Sequence, residues 1–228
     1  PERRAEAQLT RFAAQLAARG ALPEHADYFA VHDWALAQPA RFWRAVWDFT
    51  GVVGEPGTDV LTDGDRFPGA HWFPQARLNF AENLLRRRDD HPALVGLLEN
   101  GERRVVSYAQ LYRQVAALVA RLRALGIGPG DRVAGLMPNV LATTALGATW
   151  TSCSPDFGAS GVIDRFGQVA PRVLFCADGY YYNGKACDSL QRLEGILQAI
   201  DSIEQLVVVP LLSARPTLPQ GAPAALFG

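Results

Sequence analysis

The clearest pattern of apolar and polar positions lies near the middle of the chain and predicts an amphipathic helix. Apolar side chains recur every three or four residues from Tyr108 to Leu125, which is the spacing of one face of an α-helix. Ser107 and Gln110 stand at the capping-box positions before this stripe, and Gly126 follows it. The sequence therefore predicts a helix that begins after Ser107 and ends at Gly126.

Short apolar, β-branched runs follow this helix and alternate with further helical patterns. The runs predict strands at 132–137, near Trp150, at 172–176 and at 205–209. The intervening patterns predict helices at 140–147, 161–169 and 188–200. This alternation is typical of an α/β fold, and we expect a mostly parallel sheet flanked by helices.

The connection between the first two of these strands is unusually short. A crossover between parallel strands needs at least about 10–12 residues, and barely that many separate Met137 from Trp150. Either the intervening helix is very short, or residues are missing from the chain at this point.

The N-terminal part of the chain predicts helices separated by a long connection. Residues 5–19 and 77–87 have helical patterns. Residues 27–50 are rich in aromatic side chains at helical spacing, which we interpret as the packing of an N-terminal cap. An aromatic ligand cage is the alternative. Residues 51–75 are rich in Gly, Pro and Asp, as in a surface connection.

A hairpin signal marks the start of the α/β body. Asn100-Gly101 separates the apolar runs 93–99 and 103–107, and this dipeptide favours a tight hairpin turn. The predicted organisation is a helical, aromatic-rich extension with its connection over 1–90, an α/β subdomain over 91–210, and a Pro-rich trailing segment of a truncated domain over 211–228. We interpret that last segment as a linker or loop that adds no core element.

Composition and charge exclude several classes of partner. The 22 basic and 23 acidic side chains nearly cancel, whereas a protein that binds nucleic acid or an anionic membrane carries a basic excess. Cys153, Cys176 and Cys187 form no CxxC pair, and the histidines are scattered singly. A disulfide framework and a metal site are therefore not expected. The charged N-terminus lacks a signal peptide, and the uncharged run 133–155 is broken by polar residues, so the sequence predicts a cytoplasmic protein.

Two polar segments follow neighbouring predicted strands and suggest a ligand site. Ser154-Pro155-Asp156 comes after the strand near Trp150, and a run of three tyrosines ending at Tyr182 precedes Lys185. Ligands of open α/β sheets bind at the carboxyl ends of the strands. Tyrosine rings could stack on an aromatic group while Lys185 meets a phosphate. The alternative is a Tyr-rich surface loop that packs on its own sheet.

Four sequence motifs resemble the acetoacetyl-CoA synthetases, a branch of the acyl-CoA synthetases and adenylate-forming ligases. They are SCSPDFG with GVIDRFGQVAPRVLFCADGYYYNGK, the Gly-Ile-Gly-Pro-Gly-Asp turn, WFPQARLNFAENLL and FWRAVWDFTGV. The resemblance covers nearly the whole chain. Acetyl- and propionyl-CoA synthetases usually carry Gly-Gly where this chain has Pro155-Asp156.

The resemblance implies a ligase that works in two half-reactions. ATP and acetoacetate give an acyl-adenylate and pyrophosphate, and the CoA thiol then displaces AMP. ATP, Mg²⁺ and CoA are thereby implied for the parent enzyme. The family's phosphate loop, ribose-binding Asp and catalytic Lys have no counterpart in these residues. We therefore expect an N-terminal portion with no catalytic or metal-binding residue, which alone does not adenylate an acid.

The resemblance does assign CoA-binding positions in this segment. The nucleotide end of CoA is expected against the turn Ser154-Pro155-Asp156 and the segment that carries Tyr182 and Lys185. Lys185 matches one of the family's basic positions, whereas Tyr182 replaces another and is expected to stack on adenine. Arg165 lies between these segments and is interpreted as a solvated or salt-bridged side chain.

Alternative functions remain open at the level of the sequence. A ligase of another short-chain acid, such as acetate or propionate, fits these residues as well, because the acid pocket lies mostly outside them. A non-catalytic module that binds CoA or a protein partner is the second alternative. A sheet cut in mid-series also exposes an edge, so self-association is expected.

Overall fold

A computed structural model describes residues 5–97, 101–136, 141–154, 157–220 and 223–227, with the side chain of Leu136 excepted. The chain divides into two compact units, residues 1–79 and residues 80–228. The domain boundaries predicted at residues 90 and 210 stay predictions.

The N-terminal unit is a helical body with short strand pairs. Its described helices are α1 (Gln8–Ala18), α2 (Tyr28–Ala37) and α3 (Pro39–Thr50). Antiparallel pairs join β1 (Gly54–Glu55) to β4 (Arg77–Leu78) and β2 (Leu61–Thr62) to β3 (His71–Trp72). The predicted helix at 77–87 is wrong at its start, because Arg77 and Leu78 form that strand.

Aromatic rings hold the helices of this unit together. The ring centroid of Phe12 in α1 lies 5.9 Å from that of Phe42 and 5.1 Å from that of Phe49, both in α3. Phe12 and Leu16 are buried with Val31 of α2. The aromatic spacing in the sequence therefore reflects ring-on-ring packing between helices.

The second unit contains a five-stranded parallel sheet, which confirms the predicted fold class. Its strand order is β13 (Ala224–Leu226), β12 (Gln205–Val209), β9 (Val173–Ala177), β7 (Arg132–Leu136) and β8 (Thr149–Ser152). The remaining elements of the unit are α4 (Phe80–Leu84), the antiparallel hairpin β5 (Pro92–Leu97) and β6 (Arg103–Ser107), α5 (Tyr108–Ala124), α6 (Leu141–Ala145), α7 (Ala159–Val169), β10 (Gly179–Tyr182), β11 (Lys185–Asp188), a 3₁₀ turn (Leu190–Arg192) and α8 (Leu193–Ala199).

Helices cover both faces of the sheet. Leu174 and Cys176 of β9 are buried on the face that carries α7 and α8, and Val173 and Phe175 are buried on the face that carries α5. Successive residues of a strand point to opposite faces, so a strand covered on both sides must be apolar at every position. This requirement explains the continuous run of apolar residues in β9.

The helix with the strongest sequence pattern forms as predicted. The Ser107 hydroxyl oxygen accepts from the Gln110 amide at 3.2 Å, and the Gln110 side chain accepts from the Ser107 amide at 2.9 Å. These reciprocal bonds satisfy backbone donors that a helix start leaves open. Leu118 and Leu122 of α5 are buried against the sheet.

The short crossover contains a helix of only five residues, α6. It connects β7 to β8, which pair in register with Arg132 opposite Thr149. Residues 137–140 lie outside the described part of the chain. The first of the two readings, a very short helix, therefore agrees with the structure.

The C-terminal tail differs from its prediction. Ala224–Leu226 pairs with β12 as a parallel edge strand, Leu206 lying opposite Ala224. The expectation that the tail adds no core element is therefore wrong. A run of only three residues among prolines and glycines has too little apolar periodicity to predict a strand.

Arg172 connects several segments at the N-terminal ends of the sheet strands. Its guanidinium binds the Glu204 carboxylate at 2.8 Å through both Nε and Nη2, and binds Asp131 at 3.1 Å through Nη1. It also donates to the carbonyls of Leu125 and Gly126 at the end of α5. One side chain thus joins α5 to the segments that precede β7, β9 and β12.

We expect Arg172→Met to lower the free energy of unfolding by about 2 kcal/mol, because two carboxylates and two carbonyls lose a partly buried donor. Urea denaturation followed by circular dichroism measures the change. Arg104→Met is the matched control, since Arg104 binds Glu102 at 2.7 Å in an exposed pair and exposed pairs contribute little. Equal loss in the two variants would contradict a special role for Arg172.

Stability should also fall in acid through the same cluster. The Gly128 amide and the Arg172 guanidinium lower the pKa of Asp131 from 3.8, and Arg172 lowers the pKa of Glu204 from 4.5. A lowered carboxyl pKa stabilises the fold above the unfolded value, and this stabilisation is lost as pH falls through the folded value. The difference in unfolding free energy between wild type and Arg172→Met should therefore shrink below about pH 4. A difference that stays constant with pH would exclude these carboxylates.

Candidate functional site

The candidate site lies at the edge of the sheet where the parallel strands end. The segments that follow β8, β9 and β12 leave the sheet at this edge because all these strands run in one direction. Ligands of open α/β sheets bind at this edge. Arg172 lies at the opposite, N-terminal ends of the same strands.

The segment after β8 begins with a buried residue and then reaches the surface. The Cys153 amide donates to the Gly135 carbonyl at 3.1 Å, and Ser154 is exposed. The Phe157 amide donates to the Ser154 carbonyl at 3.2 Å and closes a turn. Pro155 and Asp156 lie outside the described residues, so the site predicted at Ser154-Pro155-Asp156 stays a prediction.

The tyrosine-rich segment is a hairpin and not the loop that the sequence suggested. β10 and β11 pair antiparallel, and Asn183 and Gly184 form the turn with φ of 50° and 70°. Positive φ at both turn residues is the geometry that Asn-Gly favours in a two-residue hairpin. The signal was present in the sequence, in the same dipeptide that marked the hairpin at 100–101.

The hairpin places two of the predicted residues side by side. Tyr182 and Lys185 are directly paired across the turn, and paired residues of an antiparallel ladder project from the same face. Tyr182 is 59% exposed, and Lys185 is exposed beside it. An aromatic ring and an ammonium group are thus presented together to solvent.

Asp178, which sequence reasoning missed, anchors the base of this hairpin. Its carboxylate is 5% exposed and accepts from the amides of Leu211 at 2.7 Å, Leu212 at 2.9 Å and Ser213 at 2.8 Å. Its carbonyl accepts from the Ser189 amide at 3.1 Å. The only local signal was an Asp-Gly pair directly after a buried strand, because the partners of the carboxylate lie more than 30 positions away in the sequence.

A cleft of about 670 Å³ opens beside this anchor. Its lining includes Asp178, Asp188, Glu194 and, from the segment after β12, Arg215. Gly179 packs against the side chain of Leu212, where any Cβ would collide. The base of the hairpin is therefore fixed, and its tip, with Tyr182 and Lys185, projects from a rigid support.

Two arginines surround the residue that closes the turn after β8. The guanidinium carbon of Arg165 lies 4.3 Å from the centre of the Phe157 ring, and Arg192 Nη1 donates to the Phe157 carbonyl at 3.2 Å. The sequence interpretation of Arg165 as a solvated or salt-bridged side chain did not foresee this stacking.

The buried cysteines do not supply a nucleophile. Burial raises the pKa of the Cys153 thiol, although the nearby charge of Arg165 partly offsets it. Burial raises the pKa of Cys176 to about 12. Both thiols are therefore protonated at neutral pH, and the thiolate is the reactive form.

Two kinds of feature are absent from the described ranges of the chain. Among those residues, no group of three or more His, Cys, Asp or Glu side chains is arranged to hold a metal ion. No helix in that part of the chain has the length and apolar character needed to cross a bilayer.

Two family models match the chain. The model described as "AMP-binding enzyme" matches residues 80–225, and the model described as "Acetyl-coenzyme A synthetase N-terminus" matches residues 28–84. The first match alone covers well over half of the chain.

Curated relatives share the chain over most of its length. An acetoacetyl-coenzyme A synthetase of Rhizobium meliloti is 45% identical in an alignment of 217 positions, which covers 89% of this chain and 32% of the relative. An acetoacetyl-CoA synthetase of Macaca fascicularis is 32% identical over 94% of this chain and 34% of the relative. A malonamoyl-CoA synthetase of Penicillium aethiopicum is 36% identical over 80% of this chain and 27% of the relative.

A solved structure has the same fold. The acetoacetyl-CoA synthetase of Streptomyces lividans superposes with a TM-score of 0.86 at 42% identity, covering 98% of this chain and 36% of that one. The chain spans about a third of the length of the curated relatives it matches. The resemblance to acetoacetyl-CoA synthetases is confirmed, and the chain belongs to the AMP-binding enzyme family.

Proposed function

We propose that this chain is part of an ATP-dependent acetoacetate–CoA ligase and forms one wall of its CoA site. The observation that carries the proposal is the pairing of Tyr182 and Lys185 on one face of an exposed hairpin, at the edge where parallel strands end. The acetoacetyl-CoA synthetases among its relatives supply the reaction class.

The CoA wall needs a cation for phosphate and a flat surface for adenine. Lys185 provides a compact, hydrated charge. Tyr182 provides an exposed ring, and aromatic rings stack on any base. Ser154, Pro155 and Asp156 would complete the wall from the segment after β8.

In the proposed reaction, ATP and the acid form an acyl-adenylate and pyrophosphate, and the CoA thiol then displaces AMP. Mg²⁺ would accompany ATP and neutralise the phosphates. We assign no adenylation step to residues of this chain. That the 228 residues alone do not adenylate an acid stays a prediction.

The proposal of acetoacetate as the acid rests on the relatives and not on the geometry of a pocket. The malonamoyl-CoA synthetase is 36% identical to the same region, so this region is compatible with more than one short acid. Acetate and propionate stay alternatives, as does a non-catalytic CoA- or partner-binding module. ATP–pyrophosphate exchange discriminates among them.

Two further expectations stay proposals. Self-association is supported by the edge strand β13, where Leu226 is 42% exposed and unpaired strand edges favour association. A monodisperse monomer in sedimentation would argue against it. A cytoplasmic location is supported by the unpaired cysteines.

The CoA wall can be tested at Lys185, which is the only lysine in the sequence. An amine-reactive reagent should modify Lys185 and the α-amino group alone, and CoA should slow the reaction at Lys185 only. Lys185→Met should weaken CoA binding about tenfold, because a phosphate loses a charged partner. A tenfold change in affinity corresponds to about 1.4 kcal/mol of binding free energy. Calorimetry measures the affinity. Labelling of Lys185 that is indifferent to saturating CoA would refute the assignment.

The acid can be tested with the longer protein that carries this segment. Acid-dependent ATP–pyrophosphate exchange should be fastest with acetoacetate in a panel that includes acetate, propionate and malonamate. If exchange is fastest with another acid, that acid replaces acetoacetate as the proposed substrate, and the proposed ligase reaction stands. Absence of exchange with every acid would favour the binding module.

A further inference from the structure

Phe157 is held from two directions at the edge where the strands end. Arg165 of α7 covers the face of its ring, and Arg192 of the 3₁₀ turn binds its backbone carbonyl. The Phe157 amide donates in turn to the Ser154 carbonyl. Ring, carbonyl and amide of one residue are thus all engaged.

The contact with Arg165 fixes the ring against the helix that follows the turn. Its guanidinium carbon lies 4.3 Å from the ring centre, within the range of about 6 Å at which a cation is attracted to an aromatic face. Phe157 is 38% exposed, so packing alone does not fix its ring.

The contact with Arg192 connects two segments that are far apart in the sequence. Arg192 lies just after the hairpin, in a turn that begins where the Leu190 amide donates to Asp188 at 2.7 Å. Its bond to the Phe157 carbonyl spans 35 positions of sequence. It therefore joins the hairpin that carries Tyr182 and Lys185 to the turn that begins at Ser154.

We propose that Arg165 and Arg192 are positioning residues of the CoA site: they hold Phe157, and through its amide the carbonyl of Ser154, in fixed relation to the hairpin. The inference rests on the proposed function. Neither guanidinium needs to contact CoA, because both are already engaged with Phe157. Their contribution is preorganisation, since a wall held in its bound shape loses less entropy when the ligand binds.

A double-mutant cycle on the 228-residue chain tests the ring contact. Arg165→Met and Phe157→Leu should each raise the Kd for CoA about fivefold, and the double variant should raise it no further, because both remove one interaction. Arg165→Lys keeps a cation over the ring and should bind CoA nearly as wild type does. Arg192→Met should weaken binding to a similar degree, with Arg192→Lys as its conservative partner.

Arg88→Met is the matched control. Arg88 lies 4.1 Å above the ring of Tyr112 in the same unit, so the variant loses the same kind of contact away from the site. Urea denaturation of every variant separates folding from binding. We expect the control to leave the Kd for CoA unchanged.

Salt dependence distinguishes positioning from direct contact. A guanidinium that binds a CoA phosphate contributes to the decrease of affinity with ionic strength, because that charge pair is screened. Loss of a positioning residue should leave this slope as in wild type. A flatter slope in Arg165→Met or Arg192→Met would show a direct phosphate contact and overturn the inference.

The outcomes separate the two proposals. If the wild-type chain does not bind CoA, the proposal that it forms one wall of the CoA site is wrong. If the wild type binds and the Met variants bind equally well, the positioning role is wrong while the CoA site stands. If a Met variant does not fold, Phe157→Leu decides, because it removes the ring and leaves both arginine charges in place. Weaker CoA binding with the wild-type salt slope supports positioning, and unchanged CoA binding refutes it.

Discussion

The structure depends on the position of one guanidinium group, that of Arg172. It lies where β9 begins and binds Asp131, Glu204 and the last carbonyls of α5. A parallel sheet needs its crossovers to return each strand to the same starting edge, and helix ends there leave carbonyls without partners. A cation satisfies both the carbonyls and the acidic turns.

Arg132 has a related role at the same edge. Its side chain donates to the carbonyls of Val169 and Ala170 at the end of α7. α7 is thus fixed at its end, while its start lies near the turn after β8. A helix held at its far end gives Arg165 a defined place above Phe157. The geometry of the candidate site therefore begins with contacts made on the other side of the sheet.

The sequence predicted the elements whose signals are local. The apolar period of α5, its capping box at Ser107 and the apolar run of β9 all specify structure within a few residues, and the structure contains them. The contacts of the Asp178 carboxylate and the bond from Arg192 to Phe157 were not predictable, because these partners lie more than 30 positions apart. The hairpin at Asn183-Gly184 was missed for another reason: its tyrosines and Lys185 were interpreted by their chemistry, and the turn signal between them was overlooked.

The site itself was predictable only in part. Tyr182 and Lys185 could be named from the sequence, but that they share one face follows from the register of β10 and β11. The positioning role proposed for Phe157 rests on its contacts with Arg165 and Arg192. Relatives named for acetoacetate and for malonamate match this region at 45% and 36% identity. Similarity over this region therefore does not identify the acid, and its role in holding CoA stays a proposal.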